Sequence, residues 1–598
     1  MAAPAQPRGR GIAGLWRPGL LYYGLAAAPF LVVFATIPFS IYVHSGDDWD
    51  FRPVVLTGLM ALGLALLVAA AIVVRLLASL HAGVARGGAT ALFCIGMFLL
   101  LAHVYAPIQI GPLDGDALVS DEPVGYSVFE AAIFAALLLA FVPLQRSRGL
   151  AIASLCVLSL LVVSVGYFTY IMLASISSAA DDKPRASRTT GSAGNIYHFV
   201  LDTMQTDAFL AAAQPDELLA PFEGFQLFQN NVSNYITTVS SSASYLTSTF
   251  YESGKYKDWT RSWRERGLFK ILSDAGYESW MYAPFPHWDN DHVDHFWYDD
   301  DIYELEMGFT DAGFYDFVHV WLASLAPNFL TSEALRDAEP WRNRLFELLV
   351  GQAKPLSSQD GLHAYASVLM LQRVAREEAN RAPSGHYIYA HAILPHGPFV
   401  MDADCRYVGR HNLGKKSRDA RREAYVAQAG CALRLVAAFV ERLKSLGRYA
   451  AATIVVHADT GHGLGFVDGA DGAAAATTLG RSNDVLLSSI NSLLMIKRPH
   501  ATGPLQIVDA PSQLADLLPT LVDVLDLPPP DYELRGRSLY PIGGRDARAA
   551  AFGFDPEKKH GANLVQVRIE DQMDLKNSAL TVLGPAADPR TWRAGLQR

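Results

Sequence analysis

Apolar residues are spread unevenly along this 598-residue chain. The first third holds five long apolar runs, at about 19–43, 54–80, 89–111, 127–144 and 149–174, each nearly free of charge in its middle. A helix crosses a bilayer with about 20 apolar residues, so each run is long enough to span. Five in succession with short polar connections argue against the buried core helices of a large soluble protein. The first run is too long, and too poorly followed by small residues, to be a removable signal peptide. Residues 175–194 are rich in Ser, Ala and charge and read as a linker.

From residue 195 the pattern changes to short apolar runs separated by amphipathic stretches. Ile196 to Leu201, IYHFVL, predicts a central strand of a covered sheet, and it ends on a carboxylate, Asp202. Gly267 to Tyr282 predicts an amphipathic helix, a glycine turn and a strand. Residues from about 305 to 380 read as mainly helical and offer no evident chemistry. Gly385 to Val400 predicts a second apolar strand, running into the stiff turn Pro395, His396, Gly397, Pro398. Gly430 to Leu446 predicts a helix. Ala451 to Gly465 predicts a third strand, ending at Asp459 with His462 in a Gly-flanked turn. Ser492 to Pro499 reads as a strand, and Ile507 to Leu525 as a strand or turn followed by a helix. Strands alternating with helices predict an α/β sandwich with a largely parallel sheet. The expected organisation is a five-span membrane domain (1–174), a linker (175–194) and one α/β domain (195–598).

Charge orients this plan. Arg8, Arg10 and Arg17 precede the first run, Arg75 and Arg86 flank the second connection, and Arg146 and Arg148 lie in the fourth. The alternate connections are mainly acidic: Asp47, Asp48 and Asp50, with Arg52 the one basic residue, then Asp114, Asp116, Asp121 and Glu122. Basic loops favour the cytoplasmic side, so the amino terminus is expected inside and the α/β domain outside. The net charge of −10 gives no footprint of a general nucleic-acid binder. Of the four cysteines, Cys94 and Cys156 fall in apolar runs and read as packing residues. Cys405 and Cys431 fall in the exported part, where a disulfide persists, and are expected to pair.

Candidate chemistry gathers at strand ends, where open α/β sheets place their sites. Three strands end in Asp or His: Asp202, His396, and Asp459 with His462. His457 and Asp459 are two apart and point to one face. Between the first two strands, Gln229 to Tyr251 is dense in hydroxyls: Thr237, Thr238, Ser240, Ser241, Ser242 and Ser244. Composition alone favours a polar loop leading into a capped helix. The functional alternative is a nucleophilic hydroxyl at a helix amino terminus, where N–H groups and the dipole favour an anion. His287, His292 and His295 lie among acids and aromatics, but their spacing matches no standard metal site and reads as a polar loop.

Taken together, these stretches resemble the alkaline phosphatase and sulfatase superfamily. More closely they resemble its membrane-anchored branch, the lipoteichoic acid synthases, phosphoethanolamine transferases and sulfatase-like membrane proteins of bacteria. The resemblance implies an alkaline-phosphatase-like α/β domain behind the multi-span domain. It makes Asp202 in VLDTMQTD a metal ligand. It makes Thr238, with Ser241 three positions on, the nucleophile at the metal, with Thr237 as the fallback. It places His396 of PHGP at the leaving or incoming group. The family's adjacent Asp-His-Gly is matched at Asp459, but Thr460 holds the usual His position. Either His462 swings back as the ligand, or His457 substitutes, or one ligand is missing. DAPSQLADLLPTLVDVL, followed by Gly536, Arg537, Ser538 and Leu539, resembles the superfamily's closing helix and turn.

The expected cofactor is a divalent zinc or manganese ion. The expected reaction moves a phosphate-linked head group, of phosphoethanolamine or phosphoglycerol type, through a phospho-threonine. The expected donor is a lipid of a bacterial inner membrane, and the acceptor a periplasmic glycan or lipid. A phosphodiesterase or sulfatase-type hydrolase is the second reading, although no C/S-x-P-x-R setting surrounds Thr238. A catalytically weakened binding protein is the third, supported by the altered Asp459 to His462 motif.

Overall fold

The computed structural model describes residues 18–44, 55–105, 124–146, 194–308 except 215, 312–325, 339–350, 361–409, 417–467, 481–541, 551–554 and 564–588, with isolated positions besides. In chain order the main elements are α1 (Pro18–Leu31), α2 (Ile37–His44), α3 (Leu56–Leu80), α4 (Ala82–Tyr105), α5 (Val124–Arg146), β1 (Ile196–Leu201), β2 (Phe225–Phe228), α6 (Thr238–Thr247), β3 (Glu278–Ala283), β4 (His295–Tyr298), α7 (Asp299–Met307), α8 (Ala312–Ala323), α9 (Glu339–Val350), α10 (Leu362–Glu377), β5 (His386–Ala392), α11 (Arg418–Ser445), β6 (Thr453–His457), β7 (Leu494–Lys497), β8 (Gln506–Val508) and α12 (Leu517–Val524). The chain forms two compact units.

The first unit contains residues 1–113, 117–184 and 309–357. A single π turn, Val32–Thr36, joins α1 to α2. Leu25–Val43, Leu56–Leu80 and Gly83–Tyr105 are long and apolar enough to cross a membrane, and α5 contains a shorter apolar stretch, Ser127–Ala140. The fifth apolar run, Cys156 and the linker lie almost wholly outside the described residues. The division differs from the sequence expectation in one respect. Residues 309–357, expected within the 195–598 domain, belong to this helical unit. The reason is the apolar surface of α8: Phe314, Phe317, Val318 and Trp321 are buried in one cluster with Leu25, Val32, Ile37 and Phe39. A helix apolar on nearly all sides has to be covered.

The second unit is built on an eight-stranded sheet of order β4-β3-β5-β1-β6-β7-β2-β8. The run from β4 to β6 is parallel throughout, and β7 is antiparallel to both its neighbours. β1 lies inside this parallel run with all six residues buried, which is why IYHFVL shows no polar alternation. On one face Phe199, Ala390 and Val456 pack with residues of α10 and α11. On the other, Val200, Tyr389 and Val455 pack with residues of α6 and α12. α11 is apolar and long enough to suit a bilayer by composition, yet its Ala429, Leu433, Val436 and Val440 are buried in the core of this unit. Cys405 and Cys431 are joined in a disulfide that ties the loop after β5 to α11. The closing turn is held by Asp516 and Thr520, which accept the Arg537 and Leu539 N–H groups at 2.9 Å each.

Candidate metal centre

Parallel strands in register carry level positions on the same face. Val200 of β1 is level with His391 of β5 and His457 of β6. Asp202 and Asp459 follow two residues further on, so they point the same way just past their strand ends. Asp202, His391 and Asp459 each offer a ligand atom, all within 4.8 Å of one another. All three residues are buried, at 3%, 0% and 0% exposure. Asp202 Oδ1, Asp459 Oδ2 and both His391 ring nitrogens have no hydrogen-bond partner, and the nearest approach of His391 Nε2 to Asp202 Oδ2 is 3.7 Å. Unpartnered buried carboxylates are costly. A divalent cation satisfies two carboxylates and an imidazole together, so this donor set fits one.

The electrostatics show the same demand. Burial, then the neighbouring Asp202 charge, pushes the Asp459 carboxyl up to about 6. Burial also acts to raise Asp202, but His396 and His391 outweigh it and hold that carboxyl below its usual value. Two carboxylates this close resist double ionisation unless a cation lies between them. The second Asp459 oxygen, Oδ1, is already engaged, accepting the Thr460 N–H at 2.8 Å and the Thr203 N–H at 3.2 Å.

Thr238 is the first residue of α6, and its side chain lies beside Asp459. Ser241, one turn on, donates to the Asp459 carbonyl at 2.5 Å. Thr237 is more exposed and bonds Ser240 at 2.9 Å, which in turn bonds Tyr256. The structure thus brings Asp202, Asp459 and Thr238 together. His396 is half-buried at the PHGP turn, and its Nδ1 donates to the Gly397 carbonyl at 2.7 Å. Because a carbonyl only accepts, this contact makes Nδ1 the protonated nitrogen of the ring.

His462 and His457, the two candidates for the third ligand, both stand outside the trio. Gly461 passes so close beneath Ser488 that a Cβ there would lie 2.0 Å from its carbonyl oxygen. The chain then carries His462 against Tyr425, Phe399 and His396, with ring centroids 5.1, 5.4 and 6.3 Å away. Burial drives the His462 pKa down to about 3, so its ring is neutral. His457 Nε2 lies 2.7 Å from His198 Nε2, and its Nδ1 lies 2.9 Å from the Ala458 carbonyl. Both of its nitrogens are therefore engaged.

His391 holds the third position, and the sequence reading missed it. The signal was present: in HYIYAHA, Tyr387, Tyr389 and His391 share one face by period two. Which face, and beside which residue, depends on the register with β1. The Trp288 ring packs edge-on to His391 at 5.0 Å. None of the loop histidines joins the trio. His295 stacks on Trp280 and bonds Glu278, and His287 stacks on Phe285.

A parallel α/β sheet with a buried Asp–His–Asp trio at its carboxyl edge and a helix-start hydroxyl beside it defines an enzyme of the phosphatase and sulfatase type. Residues 195–527 match the Sulfatase family model, and the chain belongs to that family of sulfatase-like transferases and hydrolases. Among solved structures it is similar to the phosphonate monoester hydrolase SpPMH from Silicibacter pomeroyi, with 13% identity and a TM-score of 0.41, covering 67% of this chain and 92% of that one. It is similar to the C-terminal periplasmic domain of EcEptC from Escherichia coli in complex with Zn, with 13% identity and a TM-score of 0.39, covering 69% and 98%. It is also similar to the lipoteichoic acid synthase LtaP from Listeria monocytogenes, with 12% identity and a TM-score of 0.40, covering 70% and 99%. No curated protein matches the chain.

Proposed function

We propose that this protein is a metal-dependent transferase of a bacterial inner membrane. It moves a phosphate-linked head group, of phosphoethanolamine or phosphoglycerol type, from a membrane lipid to a periplasmic glycan or lipid. The observation that carries the reading is Thr238, at the start of α6, beside Asp459 and two further buried ligand groups, Asp202 and His391. The chain also contains helices long enough to hold such a site at a membrane.

Asp202, His391 and Asp459 would hold a zinc or manganese ion. When bound, that ion supplies Lewis-acid polarisation of a phosphoryl oxygen and acidifies a nearby hydroxyl. Thr238 Oγ attacks phosphorus, the bond from phosphorus to the lipid glycerol oxygen breaks, and the Thr238 proton passes to a nearby basic group. The α6 amino terminus offers N–H groups to the phosphoryl oxygens. His396 protonates the departing glycerol oxygen. The acceptor hydroxyl then attacks phosphorus and loses its proton, and Thr238 Oγ leaves and is reprotonated.

The test supplies purified protein in lipid vesicles with a head-group-labelled phospholipid and a lipid or glycan acceptor. The wild type is expected to transfer label to the acceptor, and Thr238→Ala to lose transfer while keeping its thermal transition. Label released only as the free head-group phosphate would replace transfer with hydrolysis. Full activity in Thr238→Ala would overturn the nucleophile.

A further inference from the structure

The backbone ladder of the first apolar helix contains a defect, and a residue from a distant part of the chain repairs it. Through the π turn the Ile37 N–H bonds back to the Val32 carbonyl, one residue further than in an α-helix. The next donor in that register is residue 38, which is proline and has no N–H. The Val33 carbonyl would be orphaned, but the Trp321 indole Nε1–H donates to it at 2.7 Å. Phe34 packs beside the same indole at 5.6 Å. Val33 lies near the middle of the apolar stretch Leu25–Val43. At about 1.5 Å per residue it is roughly 12–15 Å from either end. An unsatisfied carbonyl at such depth has no water to turn to.

We infer that the helix pair α8 and α9, encoded between α7 and α10 of the catalytic unit, is a membrane-embedded insert. This rests on the reading that α1–α5 lie in a bilayer. α8 enters beside the first span deep enough for Trp321 to reach Val33. Its neighbours Phe314, Phe317 and Val318 are buried against span residues, and Asp316 and His319 are the polar side chains the helix brings with it. α9 packs on α8 through Phe346, whose ring lies 5.4 Å from Tyr315, and through Asn343, which accepts the Tyr315 hydroxyl at 2.5 Å. Its outer side exposes Trp341 and Leu348, each at 69%, and Arg344, whose guanidinium lies 5.8 Å from the Trp341 ring. An aromatic, an aliphatic and a basic residue on one helix side suit the headgroup boundary of a lipid bilayer. The occupant is lipid because the same unit also exposes apolar residues on its long apolar helices, Ile72 and Leu76 of α3 and Leu138 and Leu139 of α5.

The experiment places single free cysteines in the full-length Cys94→Ala, Cys156→Ala protein in proteoliposomes, at Leu348 (α9), Ile72 (α3) and Ile507 (β8). Each is treated with a membrane-impermeant maleimide under non-reducing conditions. In parallel samples each carries a fluorophore exposed to doxyl-labelled lipids. The inference predicts that L348C, like I72C, is protected from the maleimide and quenched by doxyl lipid, while I507C reacts and is not quenched. Protection and quenching at I72C with free reaction and no quenching at L348C would overturn the insert and leave the membrane reading standing. Free reaction at both would overturn the membrane reading and the insert with it. A second variant isolates the indole donor. Trp321→Phe keeps the ring packing and loses the bond to Val33, so it should lower the thermal transition of the detergent-purified protein, whereas Trp341→Phe should not. An unchanged transition in Trp321→Phe would contradict the role given to that bond.

Discussion

Asp459 sits in a costly electrostatic position. Its carboxyl lies buried beside Asp202, with one oxygen taken by the Thr203 and Thr460 N–H groups and the other unpartnered. In chelator the two carboxylates oppose each other, so Asp459→Asn should raise the thermal transition of the metal-free protein. Added zinc or manganese should raise the wild-type transition, because a ligand that binds only the folded state stabilises it. The same addition should leave Asp459→Asn nearly unmoved. Differential scanning fluorimetry with and without metal checks both. A metal shift of equal size in the two proteins would remove Asp459 from the ligand set.

Glu378, at the opposite end of the strands, sets an acid limit on stability. Burial acts to raise its carboxyl, but His386, Tyr197 and Arg448 outweigh burial and hold it below its usual value. Arg448 Nη1 lies 2.6 Å from Glu378 Oε1, and Tyr197 donates to the same oxygen at 2.6 Å. The folded-state value is depressed, so this contribution is fully present above the ordinary carboxylate range and is lost as pH falls through the folded value. Glu378→Gln leaves a partly buried guanidinium unpaired and should cost about 3 kcal/mol at neutral pH. It should also flatten the acid side of the stability curve. Urea unfolding between neutral and acid pH measures both, and parallel curves for the two proteins would contradict the assignment.

Among the elements, β1, β5 and β6 were legible because fully covered strands leave unbroken apolar runs. Their polar termini at Asp202 and Asp459 were legible for the same reason, since a charge ending such a run stands out. His391 was not, because its neighbours in sequence are as apolar as those of His198 or His386. Only the alignment of β5 against β1 distinguishes these histidines, placing one at the trio and the others in packing contacts. His457 shows the converse: its period-two relation to Asp459 is real, yet a histidine on the neighbouring strand engages it first. α8 was read as a helix, but a run such as FYDFVHVW does not say which surface covers it. That depends on partners such as Leu25, Phe39 and the Val33 carbonyl, the last of them 288 residues before Trp321.

The disulfide works at this scale as well. Cys405 and Cys431 are 26 residues apart and clamp the loop after β5 onto α11. By loop-closure entropy such a link contributes about 3.5 kcal/mol, less any native strain. Replacing both residues, Cys405→Ser with Cys431→Ala, should lower stability by roughly that amount, while metal binding survives. Reductant should then have no further effect on the transition. A double variant as stable as the wild type would mean that packing around Cys431 alone holds the loop.

At the scale of the whole molecule, the chain joins an apolar helical unit to a catalytic unit whose polar strand ends form one cluster. The central claim is that Thr238 carries the transferred group, and it is tested most directly by trapping that state. Protein turning over a head-group-labelled lipid would be quenched in acid, digested, and the peptide containing Thr238 weighed. The account predicts a phosphate-linked mass on Thr238 that is absent when Asp459→Asn is treated in the same way. Continued turnover with the Thr238 peptide unmodified, or with the label on another residue, would contradict it.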